Sequence, residues 1–393
     1  MPRVLIVRGH LVNPWELGPW AALSDEFEVS YLLTQSNRFG LPASPLTPVR
    51  VRALRDLLPK GRLGEVASAL VRDRYLGADE AFAWADIVHA EELSFWFAAQ
   101  AANLKPRHHF RLVQTAWETL PLLDTYRNRN ARINRRQVLE QTDLFLPATE
   151  RAAEALRFEG VSPDRIRVCP PGVDVDRFRS VPSARDLVEH VIVSPGRLVW
   201  EKGHQDVIRA FAALRQGIGI SASEAARSAR LLIVGSGPEE PRLLAYASEL
   251  GLGQAVEIRS VPYEEMPALF ARASAMVLAS LPLAGDSYHP LGVPRVFWEE
   301  QFGMVLAEAM SAGLTIVATT SGAIPEVVSG TEAQLVAPGD WLGIARALAS
   351  GAFSRPPAER VSYPSAVVER FSTQAAARRL AGAYADLLSA AAP

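Results

Sequence analysis

Residues 298–313 read WEEQFGMVLAEAMSAG, and residues 314–320 continue as LTIVATT. Gly313 is a favourable residue for the position just after a helix, and it predicts a helix over about 302–312. The apolar run 314–318 is rich in β-branched residues and too short for a typical helix, so it predicts a buried strand. A helix joined through one glycine to a buried strand is typical of a parallel α/β unit.

The same alternation continues in both directions along the chain. In the first half, strands are predicted at 4–7, 29–33, 87–89, 112–114, 144–146 and 166–169. In the second half, they are predicted at 191–194, 231–234, 256–258, 275–278 and 314–318. Helical spacing occurs between them at 93–102, 150–158, 205–214, 241–250, 266–271 and 305–311, and again at 374–388. Two such series predict two doubly wound α/β domains, each with a parallel sheet covered on both faces.

The break between the two series is predicted within 170–189, where Pro170-Pro171-Gly172 begins a stretch without sustained periodicity. We therefore expect an N-terminal Rossmann-like domain over 1–175 and a second one over 188–372. Residues 373–393 predict a terminal helix.

The composition is that of a globular protein, with 393 residues, 49% hydrophobic and 21% charged, which excludes a disordered chain. A formal net charge of −2 argues against a nucleic-acid binder. The single cysteine, Cys169, excludes an intrachain disulfide, and no Cys/His cluster indicates structural zinc. The N-terminal apolar run is too short for a signal peptide, and no stretch reaches the roughly 18 apolar residues of a membrane span. We therefore expect a cytoplasmic protein.

Ligands of parallel sheets bind beyond the carboxyl ends of the strands, so those junctions are where functional residues are expected. After the strand 191–194, Gly196 permits a turn, and Arg197 and Lys202 follow it. Arg197 is able to bind phosphate oxygens through two parallel hydrogen bonds, and Lys202 adds a point charge. A phosphate site and a solvated basic loop are both open interpretations of this pair.

Two further junctions contain glycine. Gly235 and Gly237 follow the strand 231–234, and they permit close approach of the backbone either to a ligand or to another chain segment. The polar loop 319–326 follows the strand 314–318, and an ordinary connection to a helix is its favoured interpretation.

Two carboxylates flank the start of the helix predicted over 302–312. Glu300 lies just ahead of that helix and Glu308 lies two turns into it, which separates them by roughly 12 Å along the axis. This separation is too large for an acid/base pair on one glycosidic bond, and it suits contacts to opposite ends of an elongated ligand. The helix N-terminus is a ready site for an anion. Compensation of the helix dipole by Glu300 and an exposed helix charge at Glu308 are the alternatives.

Taken in order, these segments resemble the GT-B glycosyltransferases of the large retaining family 4, the "glycosyl transferases group 1". The resemblance rests on GRL-x(3)-KG at 196–203, VGSGP at 234–238, E-x(7)-E from Glu300 to Glu308, TSGAIPEVV at 320–328 and PGVD at 171–174. It covers most of residues 165–345 and, more weakly, the whole chain. It implies two Rossmann-like domains that face an interdomain cleft, with the terminal helix packed back on the first domain.

The resemblance also implies roles for individual residues. Arg197 and Lys202 should bind the pyrophosphate of a nucleotide-sugar, Glu308 the ribose hydroxyls, and Glu300 the hydroxyls of the transferred sugar. Glu300, Arg197 and Lys202 form the expected catalytic set. Further donor contacts are expected from Gly9, Gly235, Gly237, Phe302, Gly303, Met304 and Val305.

The chemistry follows from these roles. Negative charge builds on the leaving phosphate as the glycosidic bond breaks, and Arg197, Lys202 and the helix dipole are placed to stabilise it. No DxD pattern follows a predicted strand, so we expect no metal and no cofactor, with the nucleotide-sugar as a substrate. Retention of configuration is implied by the resemblance alone, as is a role in cell-envelope or exopolysaccharide biosynthesis.

The first half, which should hold the acceptor, departs from the family pattern. The segment 8–10 keeps only one glycine of the family's glycine loop, and Glu91 stands at the second His of a DVVHxH-like segment that contains His89. Trp117 stands where many members have a functional His, and Glu118 follows it. His89, Trp117 and Glu118 are therefore candidate contacts to the acceptor or sugar. Trp117 fits a stacking platform and equally a core or interdomain aromatic.

Two other segments complete the candidates. Five arginines lie within 127–136, where a basic helix would contact either an anionic lipid or acceptor, or only solvent. The loop 283–295 is expected to shape the donor-sugar pocket. The expected partners are a nucleotide-diphosphate sugar, an unidentified acceptor and the inner membrane face as a peripheral contact, with no nucleic acid.

The leading prediction is a retaining transferase that moves a hexose from a UDP-, GDP- or ADP-sugar to a glycan, lipid or small-molecule acceptor. A nucleotide-sugar epimerase or hydrolase on the same fold is one alternative, and the GRL/KG and E-x(7)-E segments argue against it. A catalytically weak nucleotide-sugar-binding protein is another, because the family His is missing at Trp117.

Overall fold

The computed structural model describes residues 1–40, 46–59, 61, 64, 73–123, 129–181, 187–220, 223–282 and 298–390. The chain divides into two compact units. The first comprises Met1–Val173 and Phe371–Pro393, and the second comprises Asp174–Arg370.

A parallel sheet of six strands forms the centre of the first unit, in the order β3-β2-β1-β6-β7-β8. These strands are β1 Arg3–Val7, β2 Glu28–Leu33, β3 Thr47–Arg50, β6 Ile87–Glu91, β7 Arg111–Ala116 and β8 Leu144–Pro147. Two short strands, β4 Arg52–Ala53 and β5 Tyr75–Leu76, pair antiparallel in a separate sheet. The helices that the structure describes in this part of the chain are α1 Gly18–Ala21, α2 Asp79–Trp84, α3 Trp96–His108, α4 Arg129–Gln141 and α5 Glu150–Phe158.

The second unit repeats the same plan, with the strand order β11-β10-β9-β12-β13-β14. Its strands are β9 Val191–Pro195, β10 Arg230–Val234, β11 Val256–Arg259, β12 Ala275–Leu278, β13 Thr315–Thr319 and β14 Gln334–Val336. Its helices are α6 Val175–Arg179, α7 His204–Gln216, α8 Glu224–Ser228, α9 Glu240–Glu249, α10 Met266–Ala271, α11 Met304–Ser311, α12 Ile324–Val327, α13 Trp341–Ser350 and α14 Ser365–Glu369. All described pairs within both six-stranded sheets are parallel, which confirms the predicted α/β class.

The strand β1 shows why the sheet of the first unit is covered on both faces. Leu5 and Val7 pack in one apolar core, and Val4 and Ile6 pack in another. Successive side chains of a strand point to opposite faces, so a strand buried on both faces needs an uninterrupted apolar run rather than alternation.

The last helix, α15 Thr373–Ser389, completes one of these cores. Its Tyr384 is fully buried, and the hydroxyl accepts a hydrogen bond from the indole N–H of Trp20 at 2.9 Å. Ser372 caps the helix by accepting from the backbone N–H of Ala375 at 3.1 Å. The C-terminal helix therefore belongs to the first unit, although the second unit separates them in sequence.

Each sheet has one place where the strand order reverses, between β1 and β6 in the first unit and between β9 and β12 in the second. Ligands of open α/β sheets bind beyond the carboxyl ends of the strands at this point. In the first unit, Ile6 pairs with His89 and Val7 with Ala90, so the register brings the residues that follow, Arg8 and Glu91, side by side.

One predicted strand is wrong. Residues 166–169 form only an isolated bridge at Ile166, with backbone hydrogen bonds from Arg167 and Cys169 to β8. The next residues are Pro170 and Pro171, which have no N–H with which to extend a ladder. The edge strands β3 and β14 were not predicted, because their half-exposed sequences lack a continuous apolar run.

Two further points concern the helices. The predicted basic helix corresponds to α4, but residues 124–128, which include Arg127, lie outside the described residues. Among the helices that the structure describes, none combines the length and the apolar character needed to cross a membrane.

Candidate functional site

The loop after β9 places Lys202 at the switch point of the second sheet. A 3₁₀ turn, Trp200–Lys202, leads into α7 through Gly203, whose φ is 69°. A Cβ on Gly203 would lie 1.9 Å from the carbonyl oxygen of Ala279, so the loop passes against the end of β12 at a distance that only glycine permits. The Lys202 ammonium donates to Glu300 Oε2 at 2.7 Å and lies 4.8 Å from the centroid of the Trp298 ring.

Glu300 is held by several groups at this point. Its side chain is 8% exposed, and Oε2 also accepts a hydrogen bond from the Ser280 hydroxyl at 2.6 Å. Its carbonyl oxygen accepts from the N–H of Ala323 at 2.8 Å. A Cβ on Gly322, whose φ is 54°, would lie 2.1 Å from the same oxygen. The glycine loop 319–326 therefore positions Glu300, and it is more than an ordinary connection.

The glycines after β10 contact another part of the chain. A Cβ on Gly235 would lie 1.9 Å from the carbonyl oxygen of Gly196, and one on Gly237 would lie 2.3 Å from that of Leu198. The N–H of Leu198 donates to the carbonyl of Ser236 at 3.0 Å. Of the two open interpretations, the structure supports close approach to another chain segment. The donor contacts of Gly235 and Gly237 stay predictions.

Arg197 differs from Lys202 in its surroundings. Its side chain is 62% exposed, and its guanidinium lies 4.0 Å from Glu201, four residues along the chain. Exposed ion pairs at this distance contribute little to stability. The guanidinium is therefore accessible to a solvent-borne anion.

The helix that opens the sequence analysis is α11, and it begins at Met304 rather than at Phe302. Gly303 precedes it with a φ of 78°, a left-handed conformation in which glycine is favoured and which sets the angle at which the helix begins. Phe302 is 2% exposed, so its side chain is part of the core. The helix N-terminus with Met304 and Val305 thus lies shortly after Glu300 in the chain, and contacts of these backbone groups with a donor remain predictions.

Glu308 is buried on α11, which excludes the exposed helix charge. It is 3% exposed, and Oε1 accepts a hydrogen bond from the Tyr263 hydroxyl at 2.7 Å. Burial raises the pKa of Glu308 to about 7, against the opposing effects of the Tyr263 hydrogen bond and the Arg177 charge. The two carboxylates of the E-x(7)-E segment are thus held by different partners.

The switch point of the first sheet also carries an ion pair. Arg8 binds Glu91 through two parallel hydrogen bonds, and its third nitrogen lies 2.5 Å from Glu16. The Arg8 side chain is 4% exposed. Burial alone would lower the pKa of Arg8, but Glu91 and Glu16 outweigh it and the pKa is raised. The guanidinium is therefore surrounded by its own carboxylates.

Two family models match this chain. The family model of the "Glycosyl transferases group 1" matches residues 178–362, and that of "Glycosyltransferase Family 4" matches residues 22–177. The chain belongs to this family of glycosyltransferases.

Individual relatives agree with the family assignment. The chain is 35% identical over 168 residues to the GDP-mannose-dependent alpha-(1-6)-phosphatidylinositol monomannoside mannosyltransferase of Mycolicibacterium smegmatis, covering 40% of this chain and 39% of that protein. It is 29% identical over 288 residues to the D-inositol 3-phosphate glycosyltransferase of Corynebacterium jeikeium, covering 67% and 62%. The matches thus span about half the length of these curated relatives.

A solved structure supports the fold. Anabaena Alr3699/HepE in complex with UDP aligns with a TM-score of 0.71 at 17% identity, covering 98% of this chain and 100% of that one. This likeness, with the two parallel Rossmann-like sheets, confirms the GT-B fold.

In this member of the family, His89 is buried in the first unit. It is 2% exposed, and its ring nitrogens lie 2.5 Å from the Tyr384 hydroxyl and 2.7 Å from that of Thr115. Burial lowers the pKa of His89 to about 3, so the imidazole is neutral. Both nitrogens have protein partners, and the prediction that His89 contacts the acceptor or sugar gains no support from this geometry.

Trp117 and Glu118 also have protein partners. The indole N–H of Trp117 donates to Glu91 Oε1 at 2.6 Å, which ties the half-buried ring to the ion pair of Arg8. Glu118 accepts from the backbone N–H groups of the next two residues, each at 2.9 Å. Trp117 therefore lies at the carboxyl edge of the sheet, where an acceptor contact stays a prediction.

Gly9 contacts protein in a similar way. Its N–H donates to the Tyr75 hydroxyl at 2.7 Å, and a Cβ would lie 2.4 Å from the ring of Phe97. Its φ is 62°. The close packing against Phe97 thus explains why a glycine suits position 9, and the predicted contact of Gly9 with the donor stays a prediction. The loop 283–295, predicted to shape the sugar pocket, lies outside the described residues.

Sequence reasoning missed three residues that position the carboxylates. Ser280 lies two residues after the end of β12, so its place after a buried strand was a usable signal. Trp298 opens the quoted segment and lies under Lys202. Tyr263 lies in a turn after β11, and nothing in the sequence links it to Glu308, 45 residues later.

Proposed function

We propose that this protein transfers a hexose from a nucleoside-diphosphate sugar to a hydroxyl-bearing acceptor, with retention of configuration. The observation that carries the proposal is the buried Lys202–Glu300 pair, which shares an oxygen with Ser280 at the switch point of the second sheet. This position is where an open α/β sheet binds its ligand. Membership of the family supports the reaction class.

The pyrophosphate has two cationic contacts in this proposal. Arg197 is exposed and offers a planar pair of donors, while the Lys202 ammonium has three N–H groups and uses one on Glu300. Both stabilise the charge that develops on the leaving phosphate, together with the N-terminus of α11. One lost donor of this kind costs about 10²–10³ in turnover.

The two carboxylates contact different ends of the donor. Glu300 accepts hydrogen bonds from the hydroxyls of the transferred sugar, and Glu308 accepts them from the ribose. UDP in the Anabaena structure and GDP-mannose in the name of the mycobacterial relative support uracil and guanine nucleotides as the first donors to test.

The first unit is proposed to contact the acceptor. At its carboxyl edge, Arg8 is neutralised by Glu91 and Glu16. Glu92 lies next to this pair, and burial with the nearby charges of Glu91 and Glu118 raises its pKa to about 8. A neutralised ion pair beside a Glu92 carboxyl that is neutral near pH 7 offers no attraction for phosphate, so a neutral polyol end of the acceptor suits this edge. The phosphatidylinositol mannoside in a relative's name supports an envelope glycolipid or polysaccharide as the acceptor, assembled on the cytoplasmic side.

A peripheral membrane contact is proposed for another part of the first unit. A cavity of about 650 Å³ is lined by Leu122, Arg132, Arg135, Arg136, Leu139, Glu140, Glu159, Gly160, Val161 and Arg165. Its arginines outnumber its glutamates by two, and its other walls are mostly apolar. That combination suits an anionic lipid. The wild-type protein should float with phosphatidylglycerol vesicles and not with phosphatidylcholine vesicles. The variant R132Q/R136Q should lose the flotation with phosphatidylglycerol vesicles.

We propose that transfer requires no metal ion. In this proposal, the positive charges of Arg197 and Lys202 take the place of a metal ion beside the pyrophosphate. Turnover should therefore be unchanged in excess EDTA, and a loss restored by Mg²⁺ or Mn²⁺ would contradict the proposal.

The experiment that tests the function measures product and binding together. Purified protein is incubated with UDP-glucose or GDP-mannose and a pool of hydroxyl-bearing acceptors, and new glycosidic products are detected by mass spectrometry with the anomeric configuration from NMR. Glu300→Ala should abolish most transfer while leaving nucleoside-diphosphate affinity within about threefold, because the sugar is the part of the donor that Glu300 contacts in this proposal. Turnover of this variant near the wild-type value would contradict the role, and an epimer in place of a glycoside would contradict the reaction.

A further inference from the structure

One oxygen of Glu308 has a partner and the other does not. Oε1 accepts from the Tyr263 hydroxyl at 2.7 Å, and among the described residues no group hydrogen-bonds to Oε2, which is buried. A buried carboxylate oxygen without a partner costs about 1–3 kcal/mol or more, since it has lost its hydration. The arrangement therefore fits a ligand hydroxyl on Oε2.

Tyr263 is itself held from the side of α6. The Arg177 guanidinium lies 5.1 Å from the centroid of the Tyr263 ring and donates to the Tyr263 carbonyl oxygen at 3.2 Å. The Phe178 ring packs edge-on at 6.3 Å. These contacts fix the ring from its face and its edge, so the phenolic hydroxyl reaches Glu308 from one direction.

The hydrogen bond between them is fixed in its polarity near neutral pH. Burial, followed by the Glu308 charge, raises the pKa of Tyr263, so the phenol stays protonated and donates. The charged or titratable groups that act on Glu308 are Tyr263 and Arg177, and Asp174 acts on Tyr263. Both groups that act on Glu308 favour its ionised form, the form that accepts two hydrogen bonds.

We propose that Tyr263 is a positioning residue that occupies Oε1 of Glu308, so that Oε2 is directed to the ribose hydroxyls and the site selects ribonucleotides. This inference rests on the proposed function, which assigns the ribose to Glu308. A carboxylate held by one fixed donor presents its other oxygen in one orientation, and a ribose hydroxyl that meets it there binds without reorganisation of the protein.

The test compares ribonucleotides with their dideoxy analogues on the full chain. UDP and 2′,3′-dideoxy-UDP, with the corresponding GDP pair in parallel, are titrated calorimetrically. Wild type should bind the ribonucleotide at least about tenfold more tightly. Tyr263→Phe should weaken ribonucleotide binding about tenfold and dideoxynucleotide binding less than twofold, because only the ribose contact depends on the hydroxyl.

Tyr246 provides a matched control in the same unit. Its hydroxyl accepts from Arg209 at 2.7 Å, and the Arg209 guanidinium lies 5.3 Å from its ring centroid, so it also pairs a tyrosine with an arginine. Tyr246→Phe should leave both affinities unchanged.

A pH series and a double variant separate positioning from general damage. The wild-type preference for ribose should increase from pH 6 to pH 8 as Glu308 ionises. Tyr263→Phe should raise the pH at the midpoint of this increase, because the carboxylate loses a hydrogen-bond donor. On a Glu308→Gln background, Tyr263→Phe should change the preference no further.

Three outcomes would overturn the proposal. Equal weakening of ribo- and dideoxynucleotides by Tyr263→Phe would show a purely structural role, and full additivity with Glu308→Gln would show that the two residues act separately. A wild-type protein that binds both nucleotides equally would contradict the ribose role of Glu308 in the proposed function, and the inference with it. If Tyr263→Phe fails to fold, the wild-type pH series remains as the test: a ribose preference that is the same at pH 6 and at pH 8 would overturn the proposal.

Discussion

The two sheets share a plan, and each has a cation–carboxylate pair at its switch point, but the pairs differ in what surrounds them. In the first unit, Arg8 is bound by Glu91 and Glu16 together. In the second unit, Lys202 has one carboxylate, Glu300, which it shares with a neutral hydroxyl. The exposed Arg197 lies five residues before Lys202 on the same loop.

This difference indicates how one fold serves two tasks. A cation enclosed by two carboxylates has no excess positive field for an anionic ligand, so the Arg8 group does not suit one. At the second edge, Lys202 hydrogen-bonds to Glu300 and the exposed Arg197 only approaches Glu201 at 4.0 Å, so this edge retains attraction for a pyrophosphate. The fold places a charge pair at each switch point, and the number of carboxylates around the cation decides which edge suits an anionic ligand.

The largest expected effects come from removing each cation. Lys202→Met should reduce transfer by about 10²–10³, because a donor to the leaving phosphate is lost. Arg8→Met should instead reduce the free energy of unfolding by about 3–5 kcal/mol, because Glu91, whose side chain is only 13% exposed, is left without its cation. Turnover and urea unfolding of both variants test this. Wild-type stability of Arg8→Met would remove the distinction between the edges.

Two buried titratable groups, Glu308 in the second unit and His89 in the first, should contribute opposite pH dependences to stability. The pKa of Glu308 is raised to about 7 from 4.5, so its contribution to stability is full below pH 4.5 and is lost as pH rises through 7. The loss is on the order of 3 kcal/mol at about 1.4 kcal/mol per pKa unit. The lowered pKa of His89 acts in the other direction, with stability lost as pH falls from 6.5 towards 3. Hydrogen exchange of β13 in wild type and Glu308→Gln at pH 5 and pH 8 measures the first effect, and an equal pH slope in both proteins would contradict it.

Replacing one glycine at the carboxyl edge of each sheet compares how tightly the two edges are packed. Gly235→Ala would place a Cβ 1.9 Å from the backbone oxygen of Gly196, and this should cost about 3 kcal/mol because two backbone segments must separate. The nearest atoms to a Cβ in Gly9→Ala belong to the side chain of Phe97 and not to the backbone, so with its φ of 62° this change should cost less, about 1–2 kcal/mol. Thermal unfolding of both variants measures the difference, and a larger cost at Gly9 would reverse this ranking.

The smallest effect on stability is expected at Arg197. Arg197→Ala should weaken nucleoside-diphosphate binding about tenfold with no change in melting temperature, since the exposed guanidinium has only a weak ion pair. Arg242→Ala, at a site that is 79% exposed on α9, is the matched control and should change neither. Equal affinities of the two variants would place the pyrophosphate elsewhere.

Much of the architecture was predictable because central parallel strands need continuous apolar runs. The strand β12 and the helices α5 and α10 have the bounds that the sequence predicted, and other elements differ by a few residues. Residues 166–169 have the same apolar character, but the prolines that follow stop the pairing. The candidate site was predicted in part, since Lys202 and Glu300 are in contact, while their partner Ser280 was not foreseen.

The sequence by itself determined the α/β class, the two series of strands and the carboxyl-edge residues of the family pattern, because these depend on local order and spacing. The tertiary structure decided which side chains meet. In the folded chain, Gly235 and Gly237 lie against the loop 196–198, His89 lies between Tyr384 and Thr115, and Tyr263 donates a hydrogen bond to Glu308. These partners lie 26 to 295 residues apart in the chain, and their meeting follows from strand order and packing, which no local pattern contains.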